Sequence, residues 1–124
     1  MFTDYKTHVL GVIDNEKLNN SDKGRNDTYA FRTPTLRNVT LTAPYMHSGK
    51  LQSLSEVLVF YDQVKDGTQL NANVSISQLD SLLRPRVTRS NDLIEFLHAL
   101  TDDTFDRSVP TQVPSGLSVG GKIQ

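Results

Sequence analysis

Residues 31–49 read FRTPTLRNVTLTAPYMHSG, a stretch with two prolines that suits no regular element. Pro34 and Pro44 drive Thr33 and Ala43 out of helical dihedrals, and the segment has neither the period of a helix nor the alternation of a strand. Irregular backbone that is ordered usually serves a site. A buried, proline-bounded loop is therefore expected here.

After that loop, Ser53-Leu54-Ser55-Glu56 has the spacing of a capping box, in which the serine oxygen takes an amide of the first turn and the glutamate reaches back. A helix is predicted from there to the stop at Asp66-Gly67. Leu54, Val57, Leu58 and Tyr61 fall on one face of it, with Val59 and Phe60 to the side, so Tyr61 is expected to point toward the core. Residues 68–77 read as polar connection. Residues 78–83 read as a short helical turn before Arg84-Pro85, with Leu79, Leu82 and Leu83 facing inward.

A second helix is predicted over residues 90–100, begun by Thr88 or Ser90, with Asp92 near its positive end. Its buried stripe is Leu93, Phe96, Leu97 and Leu100, widened by Ile94. Before the central loop, His8-Val9-Leu10 ahead of Gly11 reads as a brief extended piece, and residues 14–29 as a solvated surface loop. The proline- and glycine-punctuated residues 102–124 read as a tail laid over the surface. No internal repeat is visible. The expected class is one mainly α domain with long irregular loops over residues 1–124.

Bulk properties narrow the partners. The chain has 124 residues, 36% hydrophobic and 22% charged, with a formal net charge of −1, which is the balance of an ordinary globular domain. Nothing in that balance recruits nucleic acid or an anionic membrane, and no apolar run approaches the length of a membrane helix. The amino terminus lacks the order of a signal peptide. There is no cysteine, so the chain itself supplies no disulfide, thiolate metal site or thioether.

Taken singly, the chemically capable residues have ordinary readings. His8, His47 and His98 are too widely spaced for a local metal motif. Met46 reads as core filler, Tyr61 as a core tyrosine and Arg37 as a surface or carbonyl contact. No phosphate loop, nucleophile elbow or zinc-protease motif is present. Spacing alone stops at a mainly helical domain.

The run T-P-T-L-R-N-V-x-L-T-A-P-Y-M-H-x-G, followed by LQSLSEVLVFYD and then DLIEFLHALTD, closely resembles the carboxy-terminal part of the bacterial di-haem cytochrome c peroxidases and their MauG-type relatives. The likeness runs from Phe2-Thr3-Asp4 to Val113-Pro114-Ser115-Gly116-Leu117. It implies a cytochrome c-like helical domain carrying haem c, the electron-relay haem of an oxidoreductase that consumes hydrogen peroxide. It also implies a second, amino-terminal peroxidatic haem domain, an electron-donor or substrate protein as partner, and a periplasmic location. A homodimer is compatible with it.

The resemblance assigns roles to particular residues. The relay haem's axial ligand stands fourteen residues beyond the motif histidine, which here is Tyr61 counted from His47; the peroxidases proper carry methionine at that place and the MauG-type enzymes tyrosine. A phenolate is hard and anionic and favours ferric iron, whereas a thioether favours ferrous iron, so a MauG-like relay that is hard to reduce is expected. His47 is assigned to the haem pocket without ligating. Arg37 is assigned to a haem propionate. The backbone carbonyls of Thr42 and Pro44 match calcium ligands. Met46 neighbours this region off the ligand position.

The chain departs from the family in lacking the Cys-x-x-Cys-His attachment segment and the peroxidatic domain. It is therefore expected to be part of a longer di-haem protein and inactive alone. The alternative is a haem-free binding or structural module that retains the scaffold. A Cys-x-x-Cys-His upstream of Met1 distinguishes the two.

Overall fold

The computed structural model describes residues 2–17, 19–83, 90–102 and 104. The extended piece expected at His8 is β1 (Thr7–Val9), which pairs antiparallel with β2 (Ala30–Arg32) so that His8 stands opposite Phe31. The pairing continues outward, because Thr33 N–H donates to the Lys6 carbonyl at 3.0 Å and Leu36 N–H to that of Phe2 at 3.3 Å. The amino-terminal arm is thereby laid along the first part of the proline-bounded loop. Residues 14–17 and 19–29 form turns with no buried residue, as their polar composition implies.

The longer helix, α1 (Leu54–Lys65), begins where its cap predicts. Ser53 Oγ accepts the Glu56 N–H at 3.2 Å. The glutamate reaches back one residue further than the usual box, taking the Gln52 N–H at 2.7 Å. Asp66 and Gly67, the latter at φ +85°, end the helix as expected. The shorter helix, α2 (Ser90–Ala99), carries Asp92 in its first turn. Thr88, Arg84-Pro85 and residues 105–124 of the expected tail lie outside the described residues.

The core corrects the face predicted for α1 only in part: Leu58, on the predicted stripe, is buried at 6% exposure. Phe60, read as lateral, is 2% exposed and forms a cluster with Val12, Leu51 and Val64. Val57 and Tyr61 are only partly buried at the edge of that cluster. Helical period fixes which residues share a face, but not which of two adjoining faces meets the densest packing. In α2, Leu97 is buried while Leu93 and Phe96 stay more than a third exposed, Phe96 standing edge-on to Phe2.

The connection before α2 holds more structure than its polar sequence implies. Ser75 and Gln78 form a capping box on a 3-10 turn at Ile76–Gln78, and the turn expected within residues 78–83 follows at Ser81–Leu83. Leu79 and Leu83 pack against the core as expected. Leu82 does not, being 68% exposed.

Residues 37–40 staple the loop to the end of α2. Asn38, in the left-handed region at φ 60°, donates its N–H to the Leu100 carbonyl and accepts the Asp102 N–H at its side-chain oxygen at 2.7 Å. The Thr40 and Thr101 hydroxyls meet at 2.7 Å. Arg37 is ion-paired with Asp102. Two helices and a two-stranded ribbon are thus the regular elements of the described residues, and the irregular path between β2 and α1 is longer than either helix.

Candidate functional site

The loop, α1 and α2, with the amino-terminal arm and the 3-10 turns, border a mostly apolar, half-open hollow of about 1020 Å³, at the top of the roughly 300–1,000 Å³ spanned by cofactor sites. The stripe Leu54, Val57, Leu58 and Tyr61, predicted to face the core, lines this hollow. Leu93 and Leu97 line it from α2, and Pro44, Met46 and His47 from the loop. The expectation of a buried loop is corrected by the same geometry. Of residues 31–49 only Ser48 is buried, because the segment forms a wall with one side toward the hollow.

Tight turns hold that wall without a regular ladder. Tyr45 N–H donates to the Leu51 carbonyl at 2.7 Å, and its hydroxyl donates to the Val39 carbonyl at 3.1 Å. Gly49 N–H closes back on the Met46 carbonyl. Gly49 sits at φ +61°, where a Cβ would also lie 3.3 Å from Pro44 Cγ, so glycine is the residue that fits the turn.

All six residues singled out in the sequence lie on this hollow. Tyr61 places its ring edge-on to Phe60, with centroids 5.5 Å apart. Among the described residues its hydroxyl makes no hydrogen bond, and burial pushes the phenol above its ordinary pKa of 10.0. His47 lies flat on Phe31. Desolvation lowers the pKa of its imidazole, with Asp22 and Asp14 pulling weakly the other way, so the ring is largely neutral at pH 7.

Arg37 reaches the hollow's wall, but its guanidinium is engaged by Asp102. The Asp102 carboxyl is held at about 2, first by its bonds with Thr104 and then by Arg37. Met46, at φ 65°, packs against the core cluster. No N–H among the described residues donates to the Thr42 or Pro44 carbonyl. No group of three or more His, Asp or Glu side chains among them is arranged to hold a metal ion.

One constellation on the same wall escaped the sequence reading. Asp4, His8 and Asp80 come together there, although Asp80 is 72 residues from the histidine. The Asp4-to-His8 spacing was the only local signal, and outside a helix that spacing means nothing.

Among the described residues, fold and hollow together give two helices and a two-stranded ribbon around an apolar space of the size of a cofactor site. No family model matches the chain, and no solved structure matches it. Curated proteins do. A cytochrome c peroxidase, IdrP1, of Pseudomonas sp. strain SCT is 42% identical over 79 residues, covering 64% of this chain and 20% of that protein. The methylamine utilization protein MauG of Methylorubrum extorquens is 34% identical over 122 residues, covering 91% of this chain and 31% of that protein. MauG of Paracoccus denitrificans is 32% identical over 92 residues, covering 61% and 24%. The chain belongs to the di-haem family of bacterial cytochrome c peroxidases and MauG proteins. It spans between a fifth and a third of the length of these relatives.

Proposed function

We propose that this chain forms the electron-relay haem domain of a periplasmic di-haem oxidoreductase of the MauG type, working beside a peroxidatic haem domain that reacts with hydrogen peroxide. The observation that carries the reading is Tyr61, a phenol without a hydrogen-bond partner among the described residues, lining an apolar hollow of about 1020 Å³. A bound haem c supplies one-electron chemistry at its iron. This chain's residues fit the non-covalent part of such a site. With no cysteine, they do not supply the thioether attachment.

Tyr61 would hold the iron through its oxygen, a hard donor that favours the ferric state. Its buried phenol resists ionising unless a cation compensates, which makes it a selective ligand for a positive metal centre. His47, stacked on Phe31, would shape the rim of the pocket. Arg37 would have to share its charge between Asp102 and a propionate. The Thr42 and Pro44 carbonyls, free of N–H donors among the described residues, suit a calcium ion that takes its remaining ligands from another domain. A donor or substrate protein would exchange electrons with this haem.

The test is the midpoint potential of the relay haem in the intact, haem-loaded protein, with Tyr61→Met beside it. A low potential that rises strongly in the methionine variant supports the reading. A wild-type potential as high as that of a histidine/methionine cytochrome refutes phenolate ligation. A haem-free product by pyridine haemochrome assay would instead favour a binding module that keeps the scaffold.

A further inference from the structure

The ring of His8 is held between two carboxylates from distant parts of the chain. Its Nδ1 lies 2.5 Å from Asp80 Oδ2 and its Nε2 lies 2.6 Å from Asp4 Oδ2. A neutral imidazole has one N–H and one lone pair, so only the imidazolium can donate to both oxygens at once. Each aspartate is set for this contact by its other oxygen. Asp4 Oδ1 accepts the Lys6 N–H at 3.0 Å, and Asp80 Oδ1 accepts the Leu82 N–H at 2.9 Å. The Asp80 N–H in turn donates to the Val9 carbonyl at 3.0 Å.

The three side chains therefore join the amino-terminal arm, β1 and the 3-10 turns over residues 76–83, all at the wall of the hollow. We propose that the Asp4–His8–Asp80 constellation is a pH-operated latch, closed when His8 is doubly protonated and loosened when one ring nitrogen loses its proton and turns a lone pair toward a carboxylate. The inference stands apart from the haem reading, since it needs only this chain.

The charged groups acting on the ring among the described residues are these two carboxylates. From β2 the facing residue is the apolar Phe31, and the neighbouring Arg32 guanidinium stands over the Tyr5 ring. Asp80, then Asp4, raise the histidine pKa above 6.5 against some desolvation. The Asp4 carboxyl is held at about 2, through its bond with the Lys6 amide and then through His8. With the folded pKa raised, the latch is fully closed below the unfolded value of 6.5 and is lost as pH rises through the folded value. Closure is favoured by about tenfold for each unit of that rise.

The test is a nitrogen-detected NMR titration of His8 in the chain, with hydrogen exchange of the Asp80 and Leu82 amides corrected for intrinsic rates. The expected results are a midpoint above 6.5 that falls in Asp4→Asn and in Asp80→Asn, and amide protection that drops on the alkaline side of the wild-type midpoint. His8→Gln should show the lower protection at every pH. A wild-type midpoint at or below 6.5 would overturn the proposal, as would unchanged protection across the midpoint. Both are read on the unmodified chain, so a variant that fails to fold leaves them intact.

Discussion

His47 lies face to face with Phe31, their ring centroids 3.5 Å apart and their planes within 6° of parallel. The stack joins the last turn of the proline-bounded loop to β2 and covers one face of an imidazole whose residue is otherwise open to the hollow. It gives this histidine the opposite pH behaviour to His8.

Partial desolvation depresses the His47 pKa below 6.5, so the folded chain binds its proton less readily than the unfolded chain. The stability this group contributes is present above pH 6.5 and is lost as pH falls through the lowered value. The urea midpoint at pH 7.5 minus that at pH 5, taken with its sign, should be lower in His47→Gln than in wild type. An unchanged difference would mean the stack does not shield the ring.

Tyrosine titration probes the hollow directly. Burial raises the phenol pKa of both Tyr45 and Tyr61 above 10.0, so stability falls as pH climbs past the ordinary value. Tyr45 and Tyr61 should ionise late by ultraviolet absorbance, and Tyr61→Phe should remove one of these two late steps. Without cofactor that variant should cost no more than about 0.5 kcal/mol, the size of a substitution that breaks no buried contact.

The division of α1 between core and hollow predicts unequal costs for truncation. Phe60→Ala, at a position 2% exposed, should lose about 3–5 kcal/mol in urea unfolding. Val57→Ala, on the hollow's wall, should lose about 1 kcal/mol or less because less of its side chain leaves water on folding. Equal losses would show that the hollow's wall is packed as tightly as the core.

Ser53→Ala should cost about 1 kcal/mol by removing the oxygen that accepts the Glu56 amide. Thermal denaturation followed by circular dichroism measures it. Ser53→Asp should restore most of the loss, since a carboxylate accepts the same amide and complements the positive end of the helix.

The sequence alone determined where α1 starts and stops, because Ser53 and Gly67 act on neighbouring backbone groups that lie within a turn of them. It also determined the extended start at His8 and, through one long motif, the family. The tertiary structure decided what each face meets. The apolar stripe ending at Tyr61 looks the same whether it packs on a core or borders a cavity, since periodicity encodes a shared direction and nothing of what lies in it. Likewise the pairing of Arg37 with Asp102, and of His8 with both Asp4 and Asp80, depends on segments brought together only by the folded chain. Charge complementarity across such separations leaves no local pattern to read.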